Sequence, residues 1–209
     1  MLYDLSHLTQ DASQAVAGPI QDDEALLLYS VCRVTCAARI AEFGGQSGYS
    51  ARNFVAAIQE LPGAALYTID MSPVPIVAPC HRFVHKPARA VVPADFDGKP
   101  LDLVFFDCHD FHEQMHAFET LAAAGVITRS TMIALHDTGT HPEQFVPWAY
   151  AGPGGWIHQP VERAMSDRFQ DLGYECVHFH APRPSGAIRF RHGLTMCMPR
   201  RRLPIDRVA

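Results

Sequence analysis

Acidic residues recur where apolar runs stop: Glu42, Asp70, Asp95, Asp107, and Asp137 directly after His136. Between the first two lies a turn, EFGGQSGYS from Glu42 to Ser50, with Gly44, Gly45 and Gly48 inside five residues. Glycines allow positive φ and a close approach of backbone to a ligand, and a helix starting after them offers free N–H groups to an anion. Asp70 follows Gly48 by 22 residues, a spacing suited to a carboxylate that accepts hydrogen bonds from ribose hydroxyls. Loop and acid together point to a nucleoside-containing cofactor. The turn departs from G-x-G-x-x-G because Gly44 and Gly45 are adjacent, which argues against a nicotinamide enzyme. Further on, DCHDFHEQMH places His109, His112 and His116 after Asp107, residue types suited to proton transfer or metal chemistry. For His112 and His116 the plain reading, polar residues on a helix face, is preferred.

Those residues need elements to hold them, and the chain alternates accordingly. Asp23 to Ala38 reads as a helix capped by Asp22, and Arg39 to Phe43 as the first strand. Ser50 to Glu60 reads as a helix and Ala64 to Ile69 as the second strand, closed by Asp70. SPVPIVAP carries three prolines and cannot be helical throughout, so Ala90 to Pro93 is expected as a short third strand. Leu101 to Phe106 is nearly all apolar, as in a central parallel strand covered on both faces. His112 to Ala124 is then helix, Thr131 to Leu135 strand, and Val161 to Leu172 helix. Tyr174 to Phe179 and Leu194 to Met198, flanking APRPSG, form an antiparallel hairpin. The result is a doubly wound, mostly parallel α/β sheet with a C-terminal antiparallel hairpin. Ligands in such sheets lie beyond the carboxyl ends of the strands, where all the acids named above fall.

Composition narrows the function. With 209 residues, 48% hydrophobic and 19% charged, the chain fits one domain spanning residues 1–209, with an N-terminal cover segment, 1–22, and a basic tail, 199–209. The net charge of -5 gives no broad footprint for nucleic acid. No stretch is apolar enough to span a membrane and the start lacks a signal-peptide pattern, so a cytoplasmic protein is expected. The six cysteines form no C-x-x-C pair and are expected as buried thiols.

The turn EFGGQSGYS resembles the E-x-G-x-x-x-G-Y-S loop of class I S-adenosylmethionine-dependent methyltransferases, particularly the catechol O-methyltransferase-like branch. Gly18-Pro19-Ile20 resembles that branch's G-x-I segment, YTID its second-strand acid, and LDLVFFD its fourth strand. MIALHDT, Met132 to Thr138, resembles the fifth strand and H-D turn of small bacterial sugar O-methyltransferase-related enzymes. The resemblance implies a Rossmann-like methyltransferase fold that binds S-adenosylmethionine. It implies that Glu42, Gly44, Gly45 and Gly48 border the cofactor, that Ser50 holds its carboxylate and that Asp70 takes its ribose. It also implies that Asp95 and Phe96 lie by the adenine and that Asp107 faces the ammonium. In metal-using members a divalent cation such as Mg²⁺ would be held by Asp107, Asp137 and Thr138.

Two positions depart from the family pattern. Thr138 stands where the third metal ligand is usually Asn or Asp, and Asp110 stands where a Lys or His base is usual. Methyl transfer to oxygen needs the acceptor to lose a proton. His109 is the expected base, His136 the next choice, with Asp107 beside them as a catalytic residue. The expected partner is a small-molecule acceptor, held by the aromatic-rich segment Thr138 to Trp156, with no nucleic acid or membrane partner and a homodimer left open. Two alternatives remain. One is a cofactor-binding domain without catalysis, and the other a metal-dependent hydrolase or oxygenase built on Asp107, His109, His112, Asp137 and His141.

Overall fold

The computed structural model describes residues 20–139, 149–180 and 192–200. Helix α1 (Asp22–Thr35) starts at Gln21, whose backbone N–H donates to Glu24. It ends at Cys36, whose left-handed backbone turns the chain into β1 (Arg39–Phe43). Next come α2 (Tyr49–Ile58), β2 (Ala65–Asp70) and β3 (His81–His85). Two 3₁₀ turns (Ala88–Ala90 and Pro93–Phe96) lead to β4 (Leu103–Phe106), α3 (Phe111–Ala123) and β5 (Met132–Leu135). A ribbon of β6 (Tyr150–Gly152) and β7 (Gly155–Ile157) precedes α4 (Glu162–Asp171). The hairpin strands β8 (Tyr174–Phe179) and β9 (Leu194–Pro199) close the fold.

The seven-stranded sheet runs in the order β3-β2-β1-β4-β5-β9-β8. Its first five strands are parallel, and β9 is antiparallel to both β5 and β8. The doubly wound expectation and the terminal hairpin therefore hold. Winding reverses between β1 and β4, which makes their carboxyl ends the crevice of the sheet. Central strands are apolar on both sides because both faces are covered. Phe105 packs with Phe54 and Leu28 on the α1/α2 face, and Phe106 with Phe118 and Phe169 on the α3/α4 face.

The third strand departs from expectation. Strand β3 is His81–His85, and Ala90 to Pro93 lies in the 3₁₀ region. Strand β3 is an exposed edge, so its sequence, HRFVH, lacks the apolar run that marks buried strands. Val91 nevertheless enters the core, which is why its neighbourhood resembles a strand in sequence. Cys36 is exposed, against the expectation of buried thiols, while Cys32, Cys80 and Cys197 are buried and all six are free. Residues 1–19, the APRPSG turn and most of the basic tail lie outside the described residues. Among those described, no helix is long and apolar enough to cross a membrane.

At the amino ends of β1 and β4, opposite the crevice, Asp102 fixes the register of the two strands. Its Oδ2 accepts from the N–H groups of Ala38 (2.9 Å) and Arg39 (2.8 Å) while its own N–H donates to Arg39 O (2.8 Å). Asp102→Ala would leave two donors without that acceptor and should lower unfolding free energy by about 1–3 kcal/mol in urea titration. A loss under about 0.3 kcal/mol would mean that water replaces the carboxylate.

Candidate active site

The three glycines of the loop are fixed by neighbouring protein. Gly44 has φ +95°, and a Cβ there would lie 2.4 Å from the Asp107 carbonyl oxygen, so the loop and the β4 end are in direct contact. A Cβ on Gly45 would meet Thr68 Cγ2 at 2.4 Å. Gly48, at φ +76°, forms the N-cap of α2. Asp70 braces the loop from the β2 end, with Oδ2 accepting from Gly45 N–H (2.8 Å) and Gln46 N–H (3.0 Å) and Oδ1 from Ser72 N–H (2.8 Å). Its remaining lone pairs are available to further donors.

Beneath the loop, Glu42 is fully buried inside β1. Thr68 donates to its Oε2 at 2.7 Å, the Ser50 hydroxyl lies close enough to favour the charged carboxyl, and Oε1 has no hydrogen-bond partner. Burial pushes the pKa up to about 7 against the pull of those hydroxyls, and Asp107 and Asp70 add repulsion. An orphaned oxygen on a buried acid fits a cationic donor such as an ammonium group.

Beside the loop lies a buried network of acids and imidazoles. His136, fully buried, bridges Asp107 Oδ1 (Nδ1, 3.1 Å) and Glu24 Oε2 (Nε2, 3.2 Å), and its ring stacks on His192 at 5.3 Å. His192 Nδ1 meets Asp137 Oδ1 at 2.7 Å. His109 Nε2 stands 3.5 Å from Asp137 Oδ2 and 3.9 Å from Asp107 Oδ1. Glu162, from the first turn of α4, accepts from the His109 N–H (2.8 Å), lies 3.1 Å from its Nδ1, and accepts from Gln114 Nε2 (2.8 Å). His109 and Asp137 both have left-handed backbones, φ +56° and +53°, as residues held in functional turns often do.

Charge alternates through this network and pushes the pKa values apart. Burial alone would lower His109, but Glu162, Asp107 and Asp137 outweigh it and raise its pKa to about 10. His136 is likewise raised well above the imidazole range, as Asp137 and Asp107 overcome its burial. Burial raises Asp107 despite both histidines, whereas His136, His192 and His109 hold Asp137 well below the carboxylate range against the same burial. With His109 protonated, its charge faces Glu162, Asp137 and Asp107. With His109 neutral, Asp107, His109 and Asp137 present one nitrogen and two carboxylates whose ligand atoms lie within 4.8 Å of one another. Glu162 on Nδ1 then leaves Nε2 directed inward, as metal-binding histidines require.

The other expected residues stand as follows. His136 is fully buried between Glu24 and Asp107 and cannot reach an acceptor. Thr138 is turned away from the acids, its hydroxyl bonded to Thr195 and His180 at 2.8 Å each. Phe96 is fully buried edge-on to Tyr67, and Asp95 is ion-paired to Lys86 at 2.6 Å, so neither presents a free group to an adenine. Ser50 is engaged by Glu42. Asp110, in the position of the usual base, caps α3 by accepting from Glu113 N–H. His112 lines a separate cleft with Arg89, and His141, Phe145 and Trp148 lie outside the described residues. Sequence reasoning missed Glu24, Glu162 and His192. The two glutamates read as ordinary first-turn acids, and His192 carries no local signal.

Residues 41–138 match a family model described as a methyltransferase domain. Over that stretch the chain is similar to a methyltransferase domain. Solved structures similar to this chain include TomG of Streptomyces achromogenes, an O-methyltransferase in complex with S-adenosylmethionine. It is 17% identical, with 87% of this chain and 81% of that one covered and a TM-score of 0.58. The S-adenosylhomocysteine-bound methyltransferase PaMTH1 of Podospora anserina is 15% identical, covering 85% and 78%, with a TM-score of 0.57. An O-methyltransferase of Bacillus cereus, also bound to S-adenosylhomocysteine, is 14% identical, covering 88% and 84%, with a TM-score of 0.56. At these identities the likeness is one of fold. No curated protein matches the chain.

Glu42 generates a pH prediction for the ligand-free protein. Its pKa rises from 4.5 unfolded to about 7 folded, so its protonated form stabilises the fold at low pH and that contribution disappears as pH climbs through about 7. Between pH 5 and 8 the parent should lose about 2 kcal/mol of unfolding free energy relative to Glu42→Gln. Parallel pH dependences in chemical denaturation would show that Glu42 ionises at no cost.

Proposed function

We propose that this methyltransferase moves the methyl group of S-adenosylmethionine to an oxygen of a small organic acceptor. The observation that carries the reading is the contact between the glycine loop and the β4 end, which sets the loop beside the Asp107, His109 and Asp137 cluster. When bound, the cofactor supplies an electrophilic methyl on a sulfonium. Asp107 and the orphaned Glu42 oxygen suit its ammonium, the free N–H groups at the start of α2 its carboxylate, and Asp70 its ribose hydroxyls.

His109 is the residue that faces the acceptor. Its pKa of about 10 keeps it cationic at neutral pH, so it acts by stabilising the acceptor oxygen as the hydroxyl proton leaves to solvent water and the methyl–sulfur bond breaks. Tyr150 packs edge-on to the His109 ring at 5.4 Å, and Trp156 is exposed on the adjoining ribbon, giving an aromatic border suited to a small molecule. This reading has no role for nucleic acid or membrane, suits a cytoplasmic protein and is compatible with a homodimer. A second reading adds a divalent cation such as Mg²⁺ at Asp107, His109 and Asp137, which would acidify a coordinated hydroxyl. The proximity of the three ligand groups and the Glu162 contact to Nδ1 favour it. The hydrolase or oxygenase alternative loses support because His112 lines another cleft.

Calorimetry should give micromolar affinity for S-adenosylmethionine, weakened by about 1–3 kcal/mol in Asp70→Ala. Absence of binding by the parent protein would end the methyltransferase reading. A screen of phenolic, catecholic and glycosylated acceptors with labelled cofactor then tests turnover and separates catalysis from binding alone.

His109→Ala should lower turnover by roughly 10²-fold or more with little change in cofactor affinity. As a cation, His109 predicts a rate that holds through neutral pH and falls toward about 10. A rate climbing toward that pH would make it a general base instead. Undiminished turnover after exhaustive chelation would remove the second reading, and recovery on Mg²⁺ or Mn²⁺ add-back would support it.

A further inference from the structure

On the outward face of α3, HEQMH (His112 to His116) places two histidines four residues apart, with a glutamate after the first. Residues at this spacing share one helix face with Cβ atoms about 5–6 Å apart. That allows two imidazoles to hold one ion at about 2.0–2.1 Å each. Both histidines are exposed, while Gln114 and Met115 between them are buried and fix which face points outward. His112, His116, Asp110, Glu113 and Arg89 line one surface cleft of about 390 Å³. The backbone beneath the pair is firm, because Asp110 caps the helix through Glu113 N–H at 2.9 Å and Phe111 packs edge-on to the His112 ring at 5.5 Å.

We propose that His112 and His116 form a second, surface site for a late first-row divalent ion such as Zn²⁺ or Ni²⁺, separate from the strand-end cluster. Imidazole ligands select such ions over Mg²⁺, which takes oxygen. The pattern H-E-x-x-H on a helix serves zinc-dependent hydrolysis where the glutamate is free to act as base and a third protein ligand completes the set. Here Glu113 is ion-paired with Arg89 at 3.5 Å. Among the described residues, no third His, Cys, Asp or Glu donor stands within ligand spacing of the pair. The site therefore binds through two nitrogens and water, leaving positions open to an oxygen ligand in the cleft, and does not hydrolyse. This inference does not depend on the methyl-transfer reading.

The test is Zn²⁺ titrated by calorimetry into untagged, metal-stripped protein, with Ni²⁺ as a second probe. One ion should bind the helix pair with micromolar affinity, in addition to any taken by the strand-end cluster. His112→Ala and His116→Ala should each weaken it at least tenfold, and the double variant should abolish it with helix content unchanged by circular dichroism. His109→Ala, which alters only the strand-end cluster, should leave that affinity as it was. A stoichiometry that the double variant leaves unchanged, loss in His109→Ala of the binding that the double variant removes, or no binding by the parent protein would each overturn the proposal.

Discussion

The alternation of buried carboxylates and imidazoles behind β4 and β5 is the constraint on which the rest of this structure depends. Glu24, His136 and Asp107 form one run, and His192, Asp137, His109 and Glu162 another, with the two stacked through the His136 and His192 rings. Stripping water from any one of these charges costs several kcal/mol unless its partners stay in place. Each acid is therefore tolerable only because an imidazole faces it. The network draws in α1 through Glu24, α4 through Glu162 and the approach to β9 through His192, and Gly193 N–H donates to Glu24 Oε1 at 2.9 Å. Elements far apart in the chain are locked to one site by its electrostatics as well as by apolar packing.

That locking explains the backbone strain at the site. His109 adopts a left-handed conformation because Glu162 takes both its N–H and its Nδ1, and Asp137 does so at the end of the adjacent strand. Each turn aims a side chain into the space beyond the sheet. The glycine loop meets the same ends from the other side, with Gly44 resting on the Asp107 carbonyl. A side chain at Gly44 would push apart the two halves of the crevice. Binding loop and charged network are thus one construction, joined where β1 and β4 are neighbours and the winding direction changes.

Within the network, the surroundings assign different tasks to similar groups. Asp107 and Asp137 are both buried carboxylates, yet one is pushed above the carboxylate range and the other held below it. His136 and His109 are both raised, but His136 is sealed inside while His109 keeps 34% of its side chain exposed. Of these two raised histidines, His109 is the one with access to the space beyond the sheet.

The sequence by itself determined the sheet class, most of its strands and the acids at their ends. Apolar runs such as LVFF must be covered on both faces, and glycines at 44 and 48 answer a local demand for positive φ. Local chemistry also told where Asp70 and Asp107 would stand, since each ends such a run. Tertiary structure alone decided the partners. Glu24 reaches His136 across 112 residues, Glu162 reaches His109 across 53 and His192 reaches Asp137 across 55, and no local pattern encodes such distances. The edge strand β3 was hidden for a related reason, because a strand with one exposed edge needs little hydrophobic periodicity. The roles of Thr138 and His136 followed from which way their side chains turned. That choice was made by the competing hydrogen bonds of His180 and Thr195 in one case and of Glu24 in the other.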